Sequence, residues 1–251
     1  MSDPLPFIRF RGIEKSFGAH RVLKGVDLDV RRGETLVVLG GSGSGKSVLL
    51  RHVIGLMHPD RGEVLVDGAA VSGKDEDELV EVRRKVGMLF QSGALFDSMN
   101  VFENLAFPLR EHTALPEEGI AARVREVLRL VELPDAEDKM PSDLSGGMKK
   151  RVALARSIAL QPQGILYDEP TTGLDPITAM TINELIRGMQ KRLSVTSVVV
   201  THDIQSARHV ADRIAFLSEG VITFIGDIAE ARRRGDARLR AFLEGGGLHC
   251  E

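Results

Sequence analysis

The sequence predicts an α/β fold: a mostly parallel β-sheet with an antiparallel β edge and an inserted α-helical subdomain. Three observations predict it. A continuous apolar, β-branched run such as Thr35–Leu39 is typical of a strand covered on both faces. After Pro162 such runs alternate with helical stretches, as βαβ units require. Between these two regions the chain is dominated by Glu/Arg-rich helical patterns.

The first third of the chain supplies the antiparallel edge. Apolar residues alternate with polar ones over Phe7–Ile13 and Val22–Val30, which predicts short strands. Gly62–Val71 resembles a hairpin turning at Asp67-Gly68. Helical spacing is expected over Val48–Met57, directly after a Gly/Ser loop.

The rest of the chain alternates helices and strands. Further helices are predicted over Glu76–Lys85, Val101–Leu109, Pro116–Val131, Gly146–Leu160, Ala179–Leu193 and Gln205–Ala211. Further strands are predicted over Val86–Phe90, Gly164–Tyr167, Val195–Val200, Ile214–Leu217 and Val221–Phe224. The short basic run Arg232–Arg234 lies in a helical-looking stretch and is expected to be a solvated face.

Composition narrows the function classes. The net charge is −3 and the isoelectric point about 6.2, so no basic field attracts nucleic acid. The only cysteine, Cys250, allows no intrachain disulfide, which fits a reducing compartment. The N-terminus lacks a signal-peptide layout, and no apolar run approaches the ~20 residues of a membrane helix. We expect a soluble chain whose membrane role comes through a partner.

A glycine-rich loop, Gly40–Ser47, fits the pattern G-x-x-x-x-G-K-[ST] between a predicted strand and a predicted helix. Glycines let backbone N–H groups turn toward phosphate oxygens, and the next helix presents its positive end to them. Lys46 adds a cation for the β- and γ-phosphates, and the Ser47 hydroxyl can bind Mg²⁺. The alternative, a flexible linker, does not explain this placement. The expected nucleotide contacts are Gly40, Gly41, Ser42, Gly43, Ser44, Gly45, Lys46, Ser47 and Val48.

Polar residues follow three predicted strands at the edge where α/β sheets bind ligands. Asp168 is placed to hold Mg²⁺, and Glu169 to orient an attacking water. His202 can hydrogen-bond a γ-phosphate, and Gln91 can touch Mg²⁺ or the lytic water. The alternatives are that Asp168 and Glu169 form only an acidic turn and that His202 is a structural histidine. The presence of the phosphate loop makes both alternatives less favoured.

A second candidate phosphate-binding loop decides the family. Leu144–Met148 contains Ser145, Gly146 and Gly147 before a helix, and it resembles the ABC transporter signature LSGGQ, with Met148 departing from it. The resemblance implies that this loop binds the ATP of a partner chain, so that a head-to-tail pair encloses two ATP molecules. A Ser N-cap followed by glycines is the alternative.

Further motifs resemble the same family in the same order. Phe17 stands where an aromatic stacks on adenine, with a core Phe as the alternative, and Asp175 belongs to a D-loop-like segment. The resemblance implies ATP and Mg²⁺ as cofactors and a P-loop NTPase fold of the ABC type. It divides the chain into an ATPase core of residues 1–91 and 158–244, comprising a RecA-like part and the antiparallel β subdomain, and a helical signature subdomain of residues 92–157. Residues 245–251 are expected to be a disordered tail.

A narrower resemblance points to the ATPases of Mla-type, Mce-associated phospholipid transporters. It is carried by Leu89–Met99, Asn104, Pro108–His112, Leu166–Pro176 and Arg238–Gly245. It implies an integral-membrane permease, a periplasmic Mce-domain protein and often a STAS-domain subunit as partners. It also implies phospholipid as cargo and a location on the cytoplasmic face of the inner membrane.

An apolar cluster next to Gln91 is interpreted as a socket for a permease helix, with core packing as the alternative. Its members are Leu89, Phe90, Ala94, Leu95, Phe96, Met99, Phe102, Leu105 and Phe107. Other functions stay open as alternatives: an ABC ATPase for another cargo such as polar amino acids, or a non-transport ABC ATPase acting on ribosomes or chromosomes. The chain has one core, no heptad arm and no basic surplus, which disfavours the second. A small-molecule kinase would have no use for Leu144–Met148.

Overall fold

A computed structural model describes residues 5–245. Within that range the chain forms a four-stranded antiparallel sheet and a six-stranded, mostly parallel sheet. The strands are β1 (Ile8–Phe17), β2 (His20–Val30), β3 (Thr35–Leu39), β4 (Arg61–Val66), β5 (Ala69–Ala70), β6 (Val86–Leu89), β7 (Gly164–Asp168), β8 (Thr196–Thr201), β9 (Arg213–Ser218) and β10 (Val221–Gly226). The helices are α1 (Lys46–Val53), α2 (Glu76–Lys85), α3 (Val101–His112), α4 (Glu117–Leu130), α5 (Gly146–Ile158), α6 (Pro176–Leu193), α7 (Ile204–Val210), α8 (Ile228–Arg234) and α9 (Ala237–Gly245).

The larger sheet brings the candidate site residues to one edge. Its strand order is β10-β9-β3-β8-β7-β6, and β10 alone among these runs antiparallel to its neighbour. Val37 of the central β3 lies opposite Val199 and Ile214. Because β3, β6, β7 and β8 are parallel, the segments that follow them emerge at the same edge.

The predicted double-sided burial of these strands is confirmed. Leu36 and Val38 of β3 pack into a core shared with β1, β2, α1 and α2. Val37 and Leu39 pack on the opposite face, into a core shared with α3 to α9. All four side chains are fully buried, since successive residues of a strand point to opposite faces. The predicted α/β class, with an antiparallel edge and inserted helices, is likewise confirmed.

The antiparallel edge differs from the prediction of short strands. β1 and β2 are long, and their pairing shifts register between Phe10 and Ile13. Gly12 lies within that irregularity at φ +56°, and its N–H donates to the Asp27 carboxylate at 2.9 Å. The bulge places Phe10 and Ile13 in the same core although they are three residues apart. Regular alternation ends at this bulge, so the strand predicted over Phe7–Ile13 covers only part of β1.

Two predictions need correction, the bounds of α1 and the tail that included Gly245, and two helices were not predicted. The helix expected over Val48–Met57 is α1, which begins at Lys46 and ends at Val53 because Gly55 turns left-handed at φ +67°. Helices α8 and α9 were not predicted beyond the helical-looking Arg232–Arg234. Gly245 ends α9 and is not part of a tail, whereas residues 246–251 lie outside the described part of the chain. The proposed boundaries of the core and the signature subdomain stay a prediction.

Helices α3, α4 and α5 pack against one another, and α5 also packs on β6. The contact with β6 is close at Gly87, where an added Cβ would lie 2.1 Å from the Ser157 carbonyl oxygen. None of the helices among residues 5–245 has the length and hydropathy needed to cross a bilayer.

Substituting Gly87 by Ala is expected to destabilise the protein by about 1–3 kcal/mol, because backbone atoms must move to admit the methyl group. Gly188→Ala in α6 is the matched control, since no atom lies within 4 Å of its added Cβ. Removing a helical glycine there is expected to stabilise by about 0.5–1 kcal/mol. Urea unfolding of both variants measures the difference, and equal stabilities would contradict the close packing of α5 on β6.

Candidate active site

The loop between β3 and α1 presents free backbone donors. Gly45 caps α1 in a left-handed conformation, φ +102°, and no side chain caps the helix. An added Cβ at Gly45 would lie 2.9 Å from the side chains of Val22 and Leu23, so only glycine fits. The first-turn N–H groups of α1 therefore remain available for an anion at the positive end of the helix.

Lys46 is buried at the mouth of this loop, with 5% of its surface exposed. Its Nζ donates to the carbonyl oxygens of Gly40 at 2.8 Å and Gly41 at 3.0 Å. It also lies 3.5 Å from Oε1 of Glu169. Burial lowers the pKa of Lys46, while the carboxylates of Glu169 and Asp168 act in the opposite direction. The ammonium is thus held where the loop can deliver it to phosphate oxygens.

Ser47 and Asp168 form an oxygen pair suited to Mg²⁺. The Ser47 hydroxyl donates to Oδ1 of Asp168 at 2.6 Å. Burial raises the pKa of Asp168, and the Ser47 hydrogen bond opposes the shift. Residues 5–245 contain no cluster of three or more His, Cys, Asp or Glu side chains with metal-binding geometry. Mg²⁺ needs only one or two carboxylates when phosphates supply further oxygens, so the pair fits that ion.

Glu169 lies at the centre of the site in a strained conformation. Its φ is +48°, in the left-handed region that non-glycine residues seldom adopt. Its Oε2 accepts hydrogen bonds from the hydroxyls of Thr172 and Thr201, each at 3.2 Å, and from Nδ1 of His202 at 3.0 Å. Strain of this kind persists only where surrounding contacts hold it, and it is frequent at functional sites. These contacts hold the carboxylate in one orientation at the lining of the cleft.

A cleft of about 390 Å³ joins these groups. It is lined by His20, Val22, Ser42, Gly43, Ser44, Gly45, Lys46, Ser47, Val48, Gln91, Glu169 and His202. Sequence reasoning missed His20 and Val22, which belong to β2 and carry no motif. Phe17 lies outside the lining and is 48% exposed near the β1–β2 turn, so its role as an adenine-stacking residue stays a prediction.

The candidate signature lies outside the cleft lining. Ser145 caps α5 and accepts a hydrogen bond from the Met148 N–H at 3.2 Å. Asp175 caps α6, and a hydrogen bond from the Thr178 hydroxyl holds the pKa of its carboxyl below the usual value. The two helix starts touch, because a Cβ added at Gly147 would lie 2.5 Å from the Thr178 methyl. Capping accounts for Ser145 and Asp175 locally, and neither serves the cleft of its own chain.

Some residues of the predicted apolar socket are buried and others are exposed. Leu89 and Leu105 are buried in the core. Phe96 and Phe107 are exposed and stack edge-to-face, with ring centroids 5.4 Å apart. The Arg156 guanidinium lies 5.7 Å from the centroid of the Phe96 ring. Core packing therefore explains part of the group, and the exposed part remains available to a partner.

A neighbouring groove of about 350 Å³ was not predicted. Its apolar lining comes from Ile54, Leu56, Met88, Phe90, Leu160 and Pro162, and Arg83, Arg84 and Arg156 add positive charge. Leu56 is 52% exposed. We refer to this surface as the β6 groove.

Comparison with known proteins identifies the family. The sequence model described as ABC transporter matches residues 23–172, more than half of the chain. The chain belongs to the ABC transporter family. The predicted ABC-type P-loop fold is thereby confirmed.

Two relatives show how far the likeness of this ABC transporter chain extends. It is 43% identical over 238 residues to the probable ribonucleotide transport ATP-binding protein mkl of Mycobacterium leprae, covering 95% of this chain and 69% of that protein. It is 42% identical over 238 residues to the intermembrane phospholipid transport system ATP-binding protein MlaF of Escherichia coli K12, covering 95% and 88%. For mkl of Mycobacterium tuberculosis the covered share is 66%, so the chain spans about two thirds of the mycobacterial relatives.

The solved structures that resemble this chain are also those of ABC transporter proteins. The dimeric bacterial ABC transporter cassette MJ0796 superposes with a TM-score of 0.82 at 35% identity, covering 88% of this chain and 98% of that one. A post-hydrolysis MJ0796 dimer bound to ADP and Pi gives a TM-score of 0.81 at 35% identity, with the same coverage. CbiO1 from Clostridium perfringens gives 0.84 at 29% identity, covering 97% and 98%. The ABC transporter chain described here binds ATP and is an ATPase.

Asp168→Asn is expected to stabilise the nucleotide-free protein at neutral pH and to reduce ATP hydrolysis at least tenfold. The folded-state pKa of Asp168 is raised, so its ionisation opposes folding. That penalty is absent below the pKa that Asp168 has in the unfolded state. It grows as pH rises from there through the raised pKa that Asp168 has in the folded state. The gain in melting temperature, about 2 °C or more at pH 7, should therefore shrink toward pH 4 in thermal scans. A gain independent of pH would contradict the burial argument.

Proposed function

We propose that this chain is the ATP-hydrolysing subunit of a transporter that moves phospholipids between the inner and outer membranes, and that it works as a head-to-tail pair. The observation that carries the catalytic part is the convergence of Lys46, Ser47, Asp168, Glu169 and His202 at one sheet edge. The cargo rests on the likeness to MlaF, which extends over 88% of that protein.

In the proposed reaction, the loop N–H groups and Lys46 bind the phosphates of ATP. Ser47 and Asp168 would hold Mg²⁺, with Gln91 beside them in the cleft; the ion neutralises charge on the phosphates when bound. Glu169 orients the attacking water, and His202 hydrogen-bonds the γ-phosphate. Since Glu169 also bonds His202, loss of the γ-phosphate alters both partners of this pair.

The head-to-tail pair explains why a second anion-binding loop lies away from the first. Ser145 and Gly146 are exposed at the start of α5, where the helix N-terminus faces outward. In the pair, Ser145, Gly146 and Gly147 bind the ATP held by the other chain. Asp175, at the adjoining start of α6, lies on the same face. The dimeric form of MJ0796 supports this arrangement. Hydrolysis removes contacts that span both chains, so the pair opens.

Glu169→Gln is expected to bind ATP and to accumulate as a dimer in size-exclusion chromatography. Its rate of ATP hydrolysis should be lower than that of the wild type by a factor of about 100 or more. Adding Ser145→Arg to that variant should abolish the dimer through steric and charge conflict, while ATP binding by the single chain stays within about threefold. Loss of ATP binding in Ser145→Arg would contradict a site shared between two chains. Unchanged turnover in Glu169→Gln would contradict the role of that carboxylate.

A permease is the proposed partner at the β6 groove. The groove combines the exposed Leu56 and further apolar side chains that are partly or fully buried with three arginines. Arg156 connects it to the exposed Phe96. Apolar grooves of this kind accept an amphipathic helix. Arg156 also donates to the carbonyls of Gly93 and Ala94, so a helix in the groove would touch the segment that follows Gln91. The chain would thereby be held at the cytoplasmic face of the inner membrane. The STAS-domain subunit and the Mce-domain protein remain predictions from the resemblance.

Leu56→Glu is expected to reduce co-purification with the permease from detergent-solubilised membranes at least fivefold, because it places a charge in an apolar contact. ATP hydrolysis by the isolated chain should stay within about twofold. Ile225→Glu is the matched control, since Ile225 is exposed on β10 at the opposite edge of the sheet. Equal recovery of both variants would contradict docking at the β6 groove.

The mkl relatives are named for a different cargo, ribonucleotides, and the sequence leaves polar amino acids open as an alternative. Mass spectrometry of the purified complex separates the three. Co-purified phospholipid supports the proposal, and ribonucleotide or amino acid without phospholipid overturns its cargo while leaving the ATPase assignment intact.

A further inference from the structure

Lys150 is a buried cation that the catalytic scheme above leaves unused. It lies on α5, one turn after the signature glycines, and 7% of its surface is exposed. It does not line the nucleotide cleft. Lysine is almost never so deeply buried unless its ammonium has partners, because losing the hydration of a charge is costly. Its position therefore calls for a specific explanation.

The partners of Lys150 are two backbone carbonyls at the edge of the larger sheet where the candidate site residues lie. Its Nζ donates to the carbonyl oxygen of Gln91 and, at 3.4 Å, to that of Glu169. Gln91 follows β6 and Glu169 follows β7, and these strands are neighbours with Leu89 opposite Tyr167. One ammonium thus connects the ends of two adjacent strands to the helix that begins with the signature. Burial lowers the pKa of Lys150, and the carboxylates of Asp168 and Glu169 oppose that shift.

The bond to Glu169 bears on the strained backbone of that residue. The Glu169 N–H donates to the Val200 carbonyl at 3.0 Å, and its carbonyl also accepts from the Thr172 N–H at 3.3 Å. Lys150 gives that carbonyl a second donor, so three hydrogen bonds hold the backbone of Glu169 at a φ of +48°. A left-handed backbone conformation is unfavourable for a non-glycine residue, so it persists only when surrounding contacts hold it. That conformation directs the carboxylate toward Lys46 and His202.

We propose that Lys150 is a positioning residue that fixes Glu169 and Gln91 relative to the signature helix. Through it, a displacement of α5 on engaging the partner's ATP changes the position of the group that orients water in the chain's own cleft. The inference rests on the proposed role of Glu169 and deepens it. It assigns Lys150 no contact with the nucleotide, so the expected defect lies in turnover and not in ATP affinity.

Lys150→Met tests this, because methionine keeps an unbranched apolar stem and removes all donors. We expect kcat to fall about 10–100-fold, as a small displacement of a catalytic group does, with KM for ATP within about twofold. Lys150→Arg keeps donors and charge, and it should recover kcat to within about fivefold of the wild type. Lys191→Met is the control, since Lys191 is exposed on α6 with no comparable contact among the described residues; its kcat should not change. Equal kcat in Lys150→Met and the wild type would overturn the proposal.

A double-mutant cycle with Glu169→Gln separates positioning from a general loss of structure. If Lys150 acts through Glu169, adding Lys150→Met to Glu169→Gln should lower the residual rate less than twofold. Multiplicative losses would overturn the proposal. Should the methionine variant not fold in thermal scans, Lys150→Gln, whose shorter amide cannot span both carbonyls, takes its place in the same cycle with the same outcomes. A wild-type rate in Glu169→Gln alone would instead defeat the catalytic assignment of Glu169.

Discussion

The structure depends on how charge is buried at the carboxyl edge of the larger sheet. Lys46 and Glu169 lie 3.5 Å apart, and each is nearly removed from solvent. A buried ion is tolerated only with opposite charge and hydrogen bonds around it. Lys46 donates to the carbonyls of Gly40 and Gly41, and Oε2 of Glu169 accepts from Thr172, Thr201 and His202. The hydrogen bonds within the chain thus order this site, and ATP binding would exchange some of them.

Sequence reasoning found the residues whose chemistry is tied to a local pattern. Gly40–Ser47 follows β3, Asp168 and Glu169 lie at the end of β7, and His202 follows β8; parallel strands place such segments together. His20 and Val22 escaped because contact with the cleft comes from the packing of β2 beside the loop. Lys150 escaped for a similar reason. It is one of three consecutive basic residues, and residue type alone does not distinguish the buried one from its neighbours.

Backbone geometry explains the errors in the element boundaries. The bulge at Gly12 changes which side chains face the core, so strict alternation fails within one strand. At the end of α1, Gly55 stops the helix although apolar spacing continues through Met57. In the loop before α3, a buried polar side chain orders the backbone. Asn104 is fully buried, its side chain bonds the backbone of Phe96, Met99 and Asn100, and this explains why the exposed Phe96 has a defined position.

The contact between Gly147 and Thr178 has a consequence for how paired chains would communicate. No space for a methyl group separates Gly147 from the Thr178 side chain, so a shift of the first turn of α5 toward α6 would displace that side chain. In the proposed head-to-tail pair, α5 would bind the nucleotide of the neighbouring chain, while Lys150 contacts the backbone of Gln91 and Glu169 in its own chain. Each subunit would then respond to the ATP bound by its partner before hydrolysing its own ATP. The two hydrolysis events could therefore not be independent.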